Sequence, residues 1–444
     1  MAARTTTTTR IIQTRSGLSG VLHKTIYRRL RGAVYTVPAG LSVFSFIIKV
    51  NAGMQLELFP AISIDDIFAA YHECRKHKRG RTGALQFEVD LEKNLVELWR
   101  EIQSGTWTPG PSTVFIVNKP VTREIFAASF RDRIVHHLVI SRLNHLFEKT
   151  FIYDSYSCRV GKGTHFGIAR IHRFGRRCSQ NGAVRAWTLK IDIRGYFMHI
   201  NRNILFTKLS RFIDKQYHAP DKEQIKELCR LIIFNDPTEN CIRHSPQDSW
   251  RGLPADKSLF SAAKNRGLPI GNLTSQIFAN FYLNEFDHFI KSQCGIRFYG
   301  RYVDDCVIIH HSKSFLTRLI PKLRHYLMSE LGLTLHPRKI YLQPCGRGVK
   351  FLGCFIKPSH IVVHHRTVTN FTRSLSVHNA LAFDHKPDKQ ETDAFISSVN
   401  SYLGIMKHYK TYKKRQAVLL NHISPFWYNH IDLSAGYCKI QRKG

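Results

Sequence analysis

Acidic residues are missing from the first 56 positions, where eight Lys or Arg and the run Thr5 to Thr9 stand without one Asp or Glu before Glu57. A positive, hydroxyl-rich, acid-free segment has the composition of an organelle transit peptide. It shows no clean 3.6-residue period, however, and residues 1–53 are read as a basic, disordered extension or as sequence ahead of a true start at Met54. CxxC pairs are also lacking among the ten cysteines, which excludes a zinc ribbon or a redox motif and leaves a reducing cytoplasm as the expected compartment. The longest apolar stretch, Ala33 to Val50, is interrupted by Pro38, Gly40 and Lys49 and falls short of the ~20 residues of a bilayer span, so no membrane helix is expected. Repeats at solenoid periods are absent.

What is present is positive charge. Lys and Arg number 66 against 32 Asp and Glu, a formal +34 spread along the whole chain, and the partner such a surface favours is a polyanion. With 43% hydrophobic and 11% aromatic residues the chain can bury a core, which excludes a disordered basic tail of the histone type.

The local patterns alternate between helix and strand. Ser63 is placed to cap a helix whose first turn carries Asp65 and Asp66. Leu91, Leu95, Leu98 and Ile102 make one apolar helical face. A strand-like patch spans Val114 to Val117, and from Trp187 to Ile193 apolar and polar residues alternate as in a half-buried strand. Residues 235–266 are polar and Pro-containing and read as a loop insertion. From Ile296 two β-branched and aromatic runs flank an Asp pair as in a hairpin. Phe395 to Leu419 reads as a helix with Val399, Leu403 and Met406 inward and Lys407, Lys410, Lys413, Lys414 and Arg415 clustered nearby.

Three carboxylates stand at strand ends, where an unpaired acid in a core is expensive: Asp192, Asp304 and Asp305. Adjacent acids repel unless a cation lies between them, and hard oxygen donors suit Mg²⁺. Two such ions would clamp the attacking and leaving oxygens of a phosphoryl transfer. An Asp pair at a hairpin tip is also an ordinary turn signal.

At these residues the chain resembles a reverse transcriptase. Tyr302, Val303, Asp304 and Asp305 match the YxDD box, and LKIDIRGYF, from Leu189 to Phe197, matches the box that holds the third metal-binding Asp. GLPIGNLTSQIFANFYLNEFD resembles the nucleotide-binding loop and its following helix, LTLHPRKI the box after the hairpin, and KFLGCFIKP the primer grip. One YxDD alone would be weak; five boxes in order are specific.

The resemblance implies an α+β right-hand polymerase: fingers with N-terminal helices over 54–185, a palm of antiparallel sheet over 186–358, and a helical thumb over 359–444. It implies two Mg²⁺, with Mn²⁺ as a substitute, on Asp192, Asp304, Asp305 and the backbone carbonyl of Ile193. Lys339 takes the place of the general acid for the leaving pyrophosphate. Lys119, Arg123 and Arg133 would grip the incoming dNTP, and Phe197 would bar a 2′-OH. Ile270, Gly271, Ser275 and Gln276 belong to the nucleotide loop; Phe351, Leu352 and Gly353 to the primer grip. Arg159, Lys162, Lys407, Lys410, Lys413, Lys414 and Arg415 would contact template RNA or the RNA/DNA hybrid.

One departure is informative. Most of the family has a Gln where this chain has Ile270, and a Ser-Pro where it has Ser275-Gln276. Ile cannot hydrogen-bond, which implies lower fidelity. LPIGNLTSQ and YSCRVGKGTH, Tyr156 to His165, resemble the enzymes of diversity-generating retroelements, which are bacterial or phage-encoded and work with a structured RNA and a small basic accessory protein. A reverse transcriptase of an anti-phage defence system, with its own noncoding RNA, shares the chemistry. A non-catalytic RNA-binding protein on a polymerase fold is the alternative from another class. The 86 residues after Pro358 (444 − 358) suit a thumb and are too few for an RNase H or integrase as well.

Overall fold

The computed structural model describes residues 46–50, 56–76, 78, 80–118 and 121–443. Most of the expected extension and Lys119 lie outside the described residues. The chain forms two compact units that interleave in sequence: Met1–Phe151, Gly195–Glu285 and Glu330–Leu333 in one, Ile152–Arg194, Phe286–Ser329 and Thr334–Gly444 in the other. The resemblance had implied consecutive segments. No described helix is long and apolar enough to cross a membrane.

In the first unit the strand Phe46–Val50 pairs antiparallel with Leu56–Pro60. Ser63 caps the helix Ile64–Arg75 as expected: its hydroxyl accepts from Asp66 N at 3.2 Å, while Asp66 Oδ2 accepts from Ser63 N at 2.9 Å. The helix Leu91–Ser104 buries Leu95, Leu98 and Ile102 and ends on Gly105, whose φ of 73° only glycine adopts readily. The helix Phe130–Thr150 buries residues on several sides, Val135, Val139 and Phe147 among them, and so shows little amphipathic pattern.

The same unit holds a three-stranded sheet in which Thr113–Val117 pairs antiparallel with Arg123–Ala127 and parallel with the two-residue strand Ile242–Arg243. The 235–266 segment is largely irregular, in line with its composition, but it is pinned down. Glu124, buried to 1% exposure, accepts from Trp250 Nε1 at 2.6 Å, Ser258 Oγ at 2.8 Å and Leu259 N at 2.6 Å.

The second unit is built on a four-stranded antiparallel sheet in the order Phe298–Tyr302, Asp305–His310, Trp187–Asp192, Tyr341–Pro344. The helix Thr164–Cys178 lays Ile168, Ile171 and Phe174 on a core that includes Val307, Ile309, Val349 and Phe351. A smaller antiparallel sheet follows, Val349–Phe351, Cys354–Ile356 and Ile361–Val363.

Three helices, His365–Asp384, Lys389–Met406 and Tyr412–His422, then enclose their own core, with Phe395 stacked 4.0 Å from Trp427. The single helix expected over Phe395 to Leu419 is therefore two. The break falls at 407–411, where Thr411 Oγ1 donates to the Met406 carbonyl at 2.6 Å and turns the chain. Neither Pro nor Gly marks it, so composition carries no warning of it. Strands that run antiparallel except at Ile242–Arg243, with helices segregated from them, make the fold class α+β, as the resemblance implies.

Candidate active site

Strand register brings the acids together. Asp192 ends one strand and Asp305 begins its antiparallel neighbour, directly opposite it, while Tyr302 and Asp305 close the hairpin around Val303 and Asp304. Val303 sits at φ 56°, a left-handed conformation that costs a β-branched residue of order 1–3 kcal/mol. Arg301 holds the turn there by donating from Nη1 to the Val303 carbonyl at 2.9 Å. Arg301 is itself fully buried and bidentate to Asp287, Nε to Oδ1 at 2.8 Å and Nη2 to Oδ2 at 2.6 Å, and Tyr299 also donates to Asp287 at 2.6 Å.

Two lysines counter the acids. Lys190 Nζ lies 3.0 Å from Asp305 Oδ2, and Lys339 Nζ lies 3.1 Å from both Asp192 oxygens. Burial pushes the Asp304 carboxyl up to about 6, with the Asp192 charge adding to it. Burial likewise pushes Asp305 up to about 6 while Lys190 pulls it back. Asp305 Oδ1 is buried with no hydrogen-bond partner.

Among the described residues no three His, Cys, Asp or Glu side chains close into a metal cage. An open set of carboxylates with one orphaned oxygen, two of them paired with a lysine each, fits Mg²⁺, which takes one or two carboxylates and completes its shell with water and substrate phosphates. Ile193 continues the strand into a bridge with Leu335 and is buried.

The residues expected around the nucleotide fall in the first unit. Phe197 and Ile270 both pack on a core of Val114, Phe126, Met198 and Leu259. The loop is tied down by backbone bonds, Leu268 N to the Phe197 carbonyl at 2.9 Å and Phe126 N to the Ile270 carbonyl at 2.8 Å. Gly271 is required there: its φ is 131°, and a Cβ would lie 2.7 Å from the Phe126 carbonyl oxygen. Ser275 is buried and Gln276 exposed on the following helix, Leu273–Tyr282. Arg123 is exposed at the start of its strand, and Arg133 is half-buried with its Nε lacking a partner.

Other expectations need correction. Phe351 is fully buried, so in the primer-grip turn only Leu352 (φ 49°) and Gly353 (φ 79°), the two-residue loop between paired Phe351 and Cys354, are open to a duplex. Arg415 is 5% exposed, and its donors are committed to the Gly436 and Tyr437 carbonyls at 2.9 Å and to Thr411 Oγ1 at 2.8 Å, which makes it an internal brace. Lys407, Lys410, Lys413 and Lys414 are exposed. Arg159 donates to the Ile152 and Ser155 carbonyls at 2.7 and 3.1 Å, and Lys162 lies 4.3 Å over the Tyr153 ring, so both also order their own loop.

Sequence reasoning missed Lys190, Arg301 and Asp287. A charge at an inward position of a strand, Arg301 two residues from buried Tyr299, was the available signal.

Comparison with protein families agrees with this geometry. The family profile described as reverse transcriptase (RNA-dependent DNA polymerase) matches residues 118–356, more than half of the chain. Protein YkfC of Escherichia coli (strain K12) is 22% identical over 211 residues, 46% of this chain and 48% of that protein. The chain thus spans about half the length of the curated relative it matches. Among solved structures, apo telomerase from Candida Tropicalis truncated from its C-terminal domain is similar at a TM-score of 0.42 and 14% identity, over 57% of this chain and 56% of that one. Telomerase from Candida albicans, in complex with a fragment of telomeric RNA, is similar at a TM-score of 0.42 and 11% identity, over 85% of this chain and 66% of that one.

Proposed function

The chain belongs to the reverse transcriptase (RNA-dependent DNA polymerase) family, and from that premise we propose that it polymerises dNTPs into cDNA on a structured RNA template, with low fidelity, as the enzyme of a diversity-generating retroelement. One observation carries the polymerase reading: Asp192 and Asp305 face each other across paired strands, Asp304 follows the hairpin turn, and two lysines hold the carboxylates.

Asp192, Asp304 and Asp305, with the Ile193 carbonyl, would hold two Mg²⁺. When bound, these ions would supply the charge that activates a primer 3′-hydroxyl and steadies the leaving pyrophosphate. Lys190 partly offsets the burial that raises Asp305 and so favours its carboxylate form, the form a metal would need. Lys339, held by Asp192 and half exposed, is suited to deliver the Nζ proton to the pyrophosphate as it departs. Arg123 would pair with triphosphate oxygens through its planar fork. Phe197, five residues beyond Asp192 in the chain, would exclude the 2′-OH. Ile270, with no polar group to offer the nascent base pair, supports low fidelity. The retroelement role is supported by LPIGNLTSQ and YSCRVGKGTH, and a small basic accessory protein would be its partner.

Primer extension on an RNA template with dNTPs and Mg²⁺, sequencing the cDNA, tests both levels. Product that disappears in Asp192→Ala, with errors concentrated opposite template adenines, is expected. Accurate or repetitive product would remove the retroelement role and leave the polymerase. Equal product from Asp192→Ala would remove the polymerase as well.

A further inference from the structure

The helix Thr164–Cys178 has two unlike sides. Ile168, Ile171 and Phe174 face the core. On the other side Ala169, His172, Arg173, Arg176 and Arg177 recur at helical spacing, over about 12 Å of axis. With Gln180, Asn181 and Ile361 they line an open groove of about 650 Å³.

The arginines of this one helix are treated differently by their surroundings. Arg170 is paired with Asp154 at 2.7 Å. Arg173, Arg176 and Arg177 are exposed, and among the described residues no carboxylate pairs with them. Arg176 is aimed by a 2.9 Å bond from Nε to Asn181 Oδ1. Two cations in a last helical turn can be accounted for by the helix dipole. A third, one turn earlier and repelling both at spacings of three and four, is not. An anion laid across all three removes the repulsion.

The lining identifies that anion. Guanidinium forks match phosphate oxygens in pairs. The groove has no aromatic side chain other than the His172 imidazole, so it offers no broad platform on which unpaired bases could stack. Gln180 and Asn181, both exposed, supply polar groups of the kind that read 2′-hydroxyls across an A-form minor groove. The His172 ring is hydrogen-bonded to the Pro358 backbone and its Nε2 is buried, so it lines the groove without offering it a polar atom.

We propose that this groove docks the phosphate backbone of a double-stranded RNA element, a binding site additional to the aspartates and to the lysines of the C-terminal helices. The proposal rests on the reading that the chain works on a structured RNA.

The test is the triple variant Arg173→Glu, Arg176→Glu, Arg177→Glu, at exposed positions, with the corresponding triple Lys variant to separate charge from fork geometry. The probe is a 20-base-pair hairpin RNA of arbitrary sequence, titrated at several salt concentrations. Losing three phosphate contacts should weaken binding by about tenfold or more near physiological salt and make the salt slope shallower by about 2 to 3. The Lys variant should keep most of the slope. Extension of oligo(dT) on poly(rA) at saturating primer-template should be unchanged. Unaltered hairpin affinity and slope would overturn the proposal, as would an equal loss for a DNA hairpin of the same sequence. Hairpin binding is read without synthesis, so a chain inactive in extension that still shows the difference would sink the polymerase reading and leave the groove standing.

Discussion

The carboxylate end of the four-stranded sheet and the Phe197–Ile270 cluster are built from opposite materials. At the first, charge is paired with charge: Lys190 with Asp305, Lys339 with Asp192, and Arg301 with Asp287 beneath the turn. At the second, Phe197 and Ile270 rest on apolar side chains and the loop is held by backbone bonds. Charge paired at short range is position-specific and intolerant, whereas packing tolerates exchange at a modest cost. The first region should therefore decide whether the reaction occurs, and the second which substrate is chosen.

The largest effect is expected from removing a carboxylate. Asp305→Asn keeps the shape and deletes the charge, and the loss of several kcal/mol of metal-dependent stabilisation should lower the extension rate on the order of 10³-fold or more. A variant within tenfold of the parent would mean that the acids are a turn signal. Arg301→Met attacks the same region from beneath and leaves Asp287 buried without its cation. It should destabilise the fold by about 3–5 kcal/mol in denaturant titration. Adding Asp287→Leu should recover part of that loss. A cost under about 1 kcal/mol would show that the turn does not depend on this pair.

The same contrast explains what could be read from the sequence. The strand Trp187–Asp192 was legible because alternation reports one buried face, and the YxDD hairpin because its flanks are β-branched and aromatic around a polar tip. Ser63 and Leu91–Ser104 were legible because caps and periodicity are local. Arg415 was misread because a basic residue beside Lys413 and Lys414 looks like surface, and only tertiary structure reveals the Gly436 and Tyr437 carbonyls that it satisfies. Phe351 was carried into the primer grip by resemblance, although a strand residue before a two-residue turn can face either way. Asp287 and Arg301 lie fourteen residues apart, and nothing local pairs them. The Arg173 groove needed a helix side and the following turn to be brought together.

The next effect belongs to the first unit, where the His136 ring is buried on the helix Phe130–Thr150. Burial, with His137 and Arg133 adding to it, lowers its value to about 3. The unfolded chain then binds a proton near pH 6.5 that the native chain refuses, so stability is retained above that pH and lost as pH falls from about 6.5 towards 3. The slope is roughly 1.4 kcal/mol per pH unit for this one group. Asp304 and Asp305 act in the opposite sense between about 6 and 4, because the native chain takes up their protons first. The His136 contribution is isolated by comparing the parent with His136→Gln, which has no titrating group at that position, in urea at about pH 7 and pH 5. All other titrations are shared by the two chains, so the stability of the parent relative to the variant should fall with pH. A constant difference would mean that His136 is protonated in the folded chain.

The smallest effects should come from the apolar cluster. Phe197→Ala opens space without adding a polar group, and discrimination against rNTPs should fall by about 10- to 100-fold, the scale of a lost steric contact worth about 1–3 kcal/mol. Unchanged rejection of rNTPs would return Phe197 to a packing role on Val114, Phe126, Met198 and Leu259. Ile270→Gln is subtler still. The backbone there is held by the Phe126 N–H and by the following Gly271, so the exchange alters one side chain and leaves the loop where it is. A Gln can donate to and accept from a base pair, and the error frequency in sequenced cDNA should fall several-fold while the extension rate changes little. If errors stay the same in number and kind, selection is not set at this position, and the apolar region governs the sugar through Phe197 but not the base.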